Sequence, residues 1–158
     1  MKNILITGGA GFIGSNFINF ITQRKTYNNI FNIDKLTYAG NLNNISKLIQ
    51  EKEIIFYEED ICNTNFVSKI ISDNNISLVV NFAAESHVDR SIKNPSDFVD
   101  SNINGTFSLL EASMDVWKKN LNKNRFHHIS TDEVYGELGL HDESFHEDTP
   151  YAPRSPYA

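Results

Sequence analysis

The sequence predicts an α/β fold in which helices cover both faces of a parallel sheet. Short apolar runs that end in glycine or acidic residues are typical of buried strands. Segments with apolar residues at helical spacing lie between these runs, and strand and helix alternate strictly along the chain. Such alternation implies parallel strands joined by right-handed crossovers. We therefore expect a doubly wound, Rossmann-type sheet of about five strands, incomplete within these 158 residues.

Five segments are predicted as strands and four as helices. The first strand covers residues 2–7, and the first helix covers residues 11–24. The other strands are predicted at 30–34, 54–57, 78–83 and 125–130, and the other helices near 45–50, over 66–71 and from 95 or 96 to 119. In the last helix the predicted core positions are Phe98, Leu109, Leu110, Ala112 and Trp117. Residues 136–156 lack periodicity and are predicted to form a long, functional loop.

Composition and charge narrow the classes of function. Hydrophobic residues make up 40% of the chain and charged residues 22%, which is close to the average for soluble globular proteins. The net charge of −6 argues against a nucleic acid partner, because phosphate backbones bind to basic surfaces. No apolar run reaches the roughly 20 residues that cross a bilayer, and no signal peptide follows Met1. We expect no membrane contact and a cytoplasmic location.

The cysteine and the histidines give no sign of a special site. The single cysteine, Cys62, excludes an internal disulfide and is interpreted as a small core or loop residue in a reducing compartment. The histidines lack the spacing of metal ligands, so no metal is predicted; they are His87, His127, His128, His141 and His146.

A glycine-rich turn joins the first predicted strand to the first predicted helix. Gly8, Gly11 and Gly14 have the spacing GxxGxxG, whereas the usual dinucleotide fingerprint is GxGxxG. Glycines here let the chain turn sharply and let a pyrophosphate approach the N–H groups of the helix start. Asp34 ends the second strand about 20 residues further on, where a carboxylate accepts ribose hydroxyls and repels a 2′-phosphate. The pattern predicts NAD rather than NADP, the alternative being a turn used only for packing.

Asp60 and Ile61, which follow the third strand, are compatible with two roles. Asp60 could hydrogen-bond an adenine amino group while Ile61 packs on the ring. On local grounds Asp60 could equally cap a helix in the run Asp60-Ile61-Cys62-Asn63.

Polar residues also follow the fourth and fifth strands, whose carboxyl ends meet at one edge of a parallel sheet. After the fourth strand, the small Ala83 and Ala84 leave room for a nicotinamide ring, and Ser86 could reach a substrate. After the fifth strand, Thr131-Asp132-Glu133 offers a hydroxyl and two carboxylates, which can supply a general acid and a general base. Taken alone, such a run is more often a solvated loop or a helix cap.

Four runs together resemble the extended short-chain dehydrogenase/reductases, and within them the dTDP-glucose 4,6-dehydratases. They are residues 7–16 with the glycine turn, residues 34–41, residues 84–91 and residues 130–136. The glycine turn marks only the superfamily, whereas the other three runs together single out the dehydratases. The resemblance covers the whole chain, and it implies NAD as the cofactor and a nucleotide-activated glucose as the substrate.

The resemblance also implies a role for each site residue. Tyr157, in the position of the family's YxxxK tyrosine, would take the proton of the sugar 4-hydroxyl as C4 delivers hydride to NAD. Glu133 would remove the C5 proton while Asp132 protonates the departing 6-hydroxyl. Thr131 would hydrogen-bond the 4-oxygen, and Ser86 would contact cofactor and sugar. The residues implied to bind NAD are Gly8, Gly11, Phe12, Ile13, Gly14, Asp34, Lys35, Leu36, Thr37, Asp60, Ile61, Phe82, Ala83, Ala84, Ser86, Ser101 and Tyr157.

The end of the sequence departs from the family pattern. The lysine of YxxxK would stand four residues beyond Tyr157, and the sequence ends at Ala158. We therefore expect residues 1–158 to be an NAD-binding domain without its substrate domain, with negligible turnover alone and a homodimer in the full-length protein. The alternatives are a UDP-glucose 4,6-dehydratase and, from another class, a non-catalytic NAD-binding module. A sugar 4-epimerase is disfavoured by Asp132 and Glu133.

Overall fold

The computed structural model describes residues 2–158 and contains one sheet of five strands within them. The strands are β1 (Asn3–Thr7), β2 (Ile30–Asp34), β3 (Ile55–Glu58), β4 (Ile76–Asn81) and β5 (Arg125–His128). All pairings are parallel, and the order is β3-β2-β1-β4-β5. The strand order switches direction between β1 and β4. In open parallel sheets, ligands bind in the crevice at such a switch point, beyond the carboxyl ends of the strands. The Rossmann-type prediction is confirmed.

Helices connect the strands on both faces of the sheet. They are α1 (Phe12–Arg24), α2 (Ser46–Gln50), α3 (Thr64–Asp73), α4 (Val88–Lys93), α5 (Ser96–Phe98) and α6 (Thr106–Trp117). A π-helical segment, Val99–Gly105, joins α5 to α6 without a break, and 3₁₀ turns form at Leu42–Asn44, Leu121–Lys123 and Asp132–Tyr135. The rest of the described chain, from residue 136 to residue 158, contains no helix or strand, as the sequence predicts for its long loop.

Two apolar layers fill the space between the sheet and its helices. Side chains alternate along each strand, so Ile4 and Ile6 face one layer and Leu5 faces the other. The first layer packs against α1, with Ile18 and Ile21 as its contributions from that helix. The second packs against α3 and α6, and it includes Val67, Ile70, Ile71, Leu109, Ala112 and Trp117. Burial on both faces explains why β1 is a continuous apolar run.

Several details differ from the prediction, including the ends of two strands: β4 ends at Asn81 and not at residue 83, and β5 ends at His128 and not at residue 130. Leu110 is 41% exposed and not part of the core, because it lies about 100° around the helix from the buried Leu109. The helix predicted to end near Lys119 ends at Trp117 and contains the π-helical segment. Helix α4 is not predicted, because it shows no apolar period and its Ile92 is 65% exposed.

No helix within residues 2–158 is both long and apolar enough to cross a membrane.

Candidate functional site

The glycine turn follows β1 and lies against the chain that leaves β4. Gly8 has a φ of +70°, and a Cβ at this position would lie 2.6 Å from the Ala83 nitrogen. A Cβ on Gly14 would lie 2.9 Å from the Gly9 Cα, which is also too close. At Gly11 the nearest atom, the Gly8 oxygen, would lie 3.3 Å away, so that position is tight but not closed. Glycine is therefore required at the first and last positions of the motif.

Two side chains of β2 hold this turn in place. Asn32 Oδ1 accepts a hydrogen bond of 3.1 Å from the Gly9 N–H, and Asp34 Oδ2 accepts one of 2.9 Å from the Ala10 N–H. Asp34 Oδ1 accepts a further bond of 2.9 Å from the Leu36 N–H. Each carboxylate oxygen has a second lone pair, so Asp34 can still accept a ribose hydroxyl. Asn32 is missed by sequence reasoning, because its partner lies 23 positions away in the chain.

The amino end of α1 has no internal cap. Ser15 is the first residue there whose N–H is bonded along the helix, to the Gly11 oxygen at 3.0 Å. Gly11 offers no capping side chain, and the first turn contains no acidic residue. The N–H groups of Phe12, Ile13 and Gly14 thus have no intrahelical acceptor, and they carry the positive end of the helix dipole. Such an end is suited to a phosphate.

A cavity beside this helix end, which we call the first cavity, gathers many of the predicted NAD residues. The glycine turn and Asp34 form one part of its lining. Residues after β3, residues after β4 and a residue of the π-helical segment form the other parts. The predicted residues that line it are Gly8, Gly11, Asp34, Lys35, Thr37, Ile61, Phe82, Ala83, Ala84 and Ser101. It is also lined by five residues that were not predicted to bind NAD, namely Ile33, Ala39, Gly40, Glu59 and Glu85.

Seven predicted NAD residues lie outside the lining of the first cavity, and one of them, Tyr157, lines a neighbouring cavity instead. Phe12 and Ile13 are exposed at the start of α1, and Gly14 is buried behind them. Leu36 donates its N–H to Asp34 and packs its side chain against the apolar layer that contains Ile4 and Ile6, and neither Asp60 nor Ser86 lines the cavity. A side chain at the mouth of a glycine turn can still meet a ligand that extends out of the cavity, so their roles stay predictions.

Lys35 links three segments around the first cavity. Its Nζ donates to Ser101 Oγ at 2.9 Å and to Asp60 Oδ2 at 3.4 Å. Burial alone would raise the pKa of Asp60, but hydrogen bonds from Cys62 and the Lys35 ammonium outweigh it and hold that pKa below its ordinary value. The carboxyl group is therefore ionised at neutral pH.

Asp60 does not cap a helix. The cap of α3 is Asn63, whose side chain accepts from the Phe66 N–H, while Asp60 Oδ1 accepts from the Cys62 N–H at 2.9 Å. Burial and the neighbouring Asp60 raise the pKa of the exposed Cys62 thiol to about 11. Cys62 is thus an unreactive thiol at neutral pH, in line with its interpretation as a loop residue.

A second cavity adjoins the first and shares Ala83 and Ala84 with it. It is lined by Thr131 and Tyr157 among the predicted residues, and the Tyr157 ring packs edge-on against Phe98 with 6.4 Å between ring centres. The two alanines thus separate the place predicted for the cofactor from the place predicted for the substrate.

Asp132 and Glu133 lie on the 3₁₀ turn after β5 and do not line the second cavity. Asp132 is exposed, and Glu133 is half-buried. Thr131 Oγ1 accepts the Glu133 N–H at 3.2 Å, so Thr131 caps this turn. The capping alternative that the sequence left open for this run is therefore present, beside any catalytic role.

A polar network joins two residues that line the second cavity, Ala83 and His128, through the buried Asn81. Asn81 Oδ1 accepts from Thr7 Oγ1 at 2.5 Å and from the Ala83 N–H at 3.1 Å. Asn81 Nδ2 lies 3.1 Å from His128 Nδ1, which must accept because the amide can only donate. Burial, and after it the neighbouring His127, lower the pKa of His128. His128 is therefore neutral where it meets the cavity.

No group of three or more His, Cys, Asp or Glu side chains in residues 2–158 is arranged to hold a metal ion.

Comparison with known proteins identifies the family. The model of the family described as GDP-mannose 4,6 dehydratase matches residues 5–158. The chain belongs to this family. The dTDP-glucose 4,6-dehydratase of Neisseria meningitidis is a curated relative that is 46% identical to this chain. The match covers all of this chain and 45% of the Neisseria protein. The Haemophilus influenzae dTDP-glucose 4,6-dehydratase is likewise 46% identical, over all of this chain and 48% of its own length.

Solved structures show the same relationship. The dTDP-glucose 4,6-dehydratase of Streptomyces venezuelae, crystallised with NAD, has a TM-score of 0.89 at 36% identity over 99% of this chain and 47% of its own. The dTDP-glucose 4,6-dehydratase of Bacillus anthracis, crystallised with NAD, has a TM-score of 0.83 at 41% identity. The match covers 99% of this chain and 46% of the Bacillus chain. This member of the GDP-mannose 4,6-dehydratase family thus spans less than half the length of the relatives it matches.

Proposed function

We propose that the chain binds NAD and forms the cofactor-binding part of a dTDP-glucose 4,6-dehydratase. The observation that carries the proposal is the uncapped amino end of α1 behind a glycine turn, with the buried Asp34 beside it. The helix end suits a pyrophosphate, and Asp34 suits ribose hydroxyls while repelling a 2′-phosphate. A Cβ on Gly8 would collide with the backbone of Ala83, so glycine at this position lets the turn lie directly against the chain that leaves β4.

The two cavities divide the proposed work. The first cavity would hold NAD, with Lys35, Thr37, Ile61, Phe82 and Ser101 along its walls. Phe12, Ile13, Gly14, Leu36, Asp60 and Ser86 would contact the parts of the cofactor that reach beyond this cavity. The second cavity would receive the sugar, next to Tyr157 and Thr131.

The residues predicted to be catalytic would move the protons of the reaction, Tyr157 from the lining of the second cavity and Asp132 and Glu133 from the 3₁₀ turn beside it. When bound, NAD accepts hydride from C4 of the sugar and returns it to C6. Tyr157 would take the proton of the 4-hydroxyl, and Thr131 would donate a hydrogen bond to the resulting carbonyl oxygen. Glu133 would remove the C5 proton, made acidic by that carbonyl, and Asp132 would protonate the departing 6-hydroxyl. The protonated Glu133 would return its proton to C5 when hydride reaches C6. The products are water and a 4-keto-6-deoxy sugar nucleotide.

The identity of the sugar nucleotide is supported by the relatives. Several curated relatives are named dTDP-glucose 4,6-dehydratases at 44–47% identity. Structures of UDP-glucose 4-epimerases are also similar, but at lower identity, for example 26% for that of Thermus thermophilus. A UDP-glucose 4,6-dehydratase stays the alternative within the reaction class.

Calorimetric titration of the 158-residue chain with NAD and with NADP tests the proposal. We expect NAD to bind and NADP to bind far more weakly. Gly14→Ala should abolish NAD binding, because its Cβ would meet the glycine turn, whereas Gly139→Ala in the long loop should not. Equal affinity for both cofactors, or no binding of NAD at millimolar concentration, would refute it.

We further propose that a second copy of the chain covers an apolar stripe on the long helix. Its residues follow each other by three or four positions and so share one helix face. They are exposed by 41–62% and are Val99, Ile103, Phe107, Leu110 and Met114. A contiguous exposed apolar face marks an interaction surface, and the homodimer implied by the family resemblance supplies its occupant.

A further inference from the structure

Two exposed side chains, Tyr38 and Arg90, join two chain segments that supply separate walls of the first cavity. The Arg90 guanidinium carbon lies 3.9 Å from the centre of the Tyr38 ring, which is cation–π geometry. Tyr38 stands between Thr37 and Ala39, which line one wall. Arg90 belongs to α4, which begins three residues after Glu85 of another wall. Neither Tyr38 nor Arg90 lines the cavity, so the contact joins the two lining segments from outside it.

The wall that carries Tyr38 is fixed to the glycine turn. The Leu36 N–H donates to Asp34 Oδ1, and the Asn41 N–H donates to the Ala10 oxygen at 3.0 Å. Hydrogen bonds to Asp34 and to the glycine turn thus fix both ends of the segment from Leu36 to Asn41.

The wall that carries Arg90 is fixed to the π-helical segment. Asn102 Oδ1 accepts the Glu85 N–H at 2.8 Å, and Asn102 Nδ2 donates to the Glu85 oxygen at 2.8 Å. Each wall keeps its shape without the other, so the Tyr38–Arg90 contact is not needed to hold the fold. It joins the walls only at their outer edge.

We propose that Tyr38 and Arg90 form a strap that retains the cofactor in the first cavity during a turnover. This inference rests on the proposed function, in which the same cofactor molecule is used twice in one reaction. Loss of the cofactor between the two uses would abort the reaction, so a slow departure matters more than a fast entry. Tyr38 and Arg90 are positioning residues in this role.

The size of the effect follows from exposure. Tyr38 is 56% exposed, and cation–π contacts at exposed sites contribute about 0.5–1 kcal/mol. This free energy corresponds to about a two- to fivefold change in a rate constant.

The experiment measures how fast NADH leaves the 158-residue chain after mixing with excess NAD in a stopped-flow fluorimeter. Tyr38→Leu and Arg90→Gln should each speed dissociation about two- to fivefold, and the double variant should be no faster than the singles. Tyr38→Phe keeps the aromatic face and should leave the rate unchanged. Thermal midpoints should stay the same in all of them, because both side chains lie outside the core.

A second pair in the chain provides the matched control. Arg24 lies 4.1 Å from the Phe20 ring centre on the outer face of α1, away from the cavity. Phe20→Leu and Arg24→Gln remove the same kind of contact and should not alter NADH dissociation.

The outcomes separate this inference from the proposed function. Three results would overturn the strap alone. They are unchanged dissociation rates, a double variant whose effect is the product of the single effects, and faster dissociation only in variants whose thermal midpoint also falls. Failure of the unaltered chain to bind NADH would overturn the proposed function and the strap with it.

Discussion

At the residue scale, Asn32 shows how the glycine turn is held. Its side chain is completely buried, and its Nδ2 has no hydrogen-bond partner within the described structure. An unpaired buried donor costs about 1–3 kcal/mol. The same side chain accepts the hydrogen bond of the Gly9 N–H. This bond fixes the shape of the glycine turn and offsets part of the cost of the unpaired donor.

Replacing Asn32 with Leu should weaken NAD binding more than it weakens the fold. The substitution removes one unpaired donor but creates another at the Gly9 N–H, so the free energy of unfolding should change little. NAD affinity should fall about tenfold, because one turn hydrogen bond of about 1–1.5 kcal/mol is lost. Calorimetry and denaturant unfolding measure the two quantities.

Ser113→Ala is the matched control for this prediction. Ser113 Oγ is also buried without a partner, but it lies on α6, away from the turn. Its removal should leave NAD affinity unchanged. An Asn32→Leu variant that binds NAD as well as the unaltered chain would show that the Gly9 bond does not position the cofactor.

His128 should make the stability of the chain depend on pH. Its pKa lies below the ordinary value of 6.5 in the folded state, so the folded chain binds fewer protons than the unfolded chain as pH falls. Its contribution to stability is complete above about pH 6.5 and is lost as the pH drops through the lower, folded pKa. Thermal midpoints between pH 7.5 and 5 should therefore fall.

In His128→Gln this decline should be smaller, since glutamine can still accept from Asn81 but does not titrate. His146→Gln, in the exposed loop, serves as the control. Identical pH profiles for His128→Gln and the unaltered chain would rule out His128 as the cause.

At the scale of elements, the π-helical segment places two neighbouring residues in different parts of the site. Ser101 reaches the first cavity and bonds Lys35, while Asn102 holds Glu85 and lines the second cavity. A wide helical turn of this kind changes the direction in which successive side chains point, and it recurs at functional sites. Its residues carry no sequence signal that distinguishes them from an ordinary helix.

The same long helix carries the apolar stripe. Introducing a charged side chain into this stripe should disrupt self-association. Ile103→Glu and Phe107→Glu place a carboxylate on side chains that are 62% and 59% exposed, so the fold should persist while a covered interface would be lost. Sedimentation velocity should show the dimer of the unaltered chain converted to monomer. Ile92→Glu, on α4 and 65% exposed, should leave the dimer intact. A monomeric unaltered chain would contradict the proposal.

At the scale of the whole molecule, the fold could be predicted from sequence because the strands β1 to β4 are apolar runs between helical periods, and the less apolar β5, Arg125–His128, follows in the same alternation. Convergence of residues at the carboxyl ends of the strands could also be predicted, since parallel topology brings those ends together. Asn32 with Gly9, Tyr38 with Arg90 and Glu85 with Asn102 could not, because each contact joins positions far apart along the chain. Helix α4 escaped prediction because it buries too little apolar surface to leave a period.

The wall shared by the two cavities limits how the site can be redesigned. Ala83 and Ala84 contribute only methyl groups to that wall, and both cavities contact them. A larger side chain at either position would take up space in both cavities at once. An engineer who wishes to change one ligand must leave these alanines unaltered and work from the far walls, at Thr37 for one cavity or Val134 for the other.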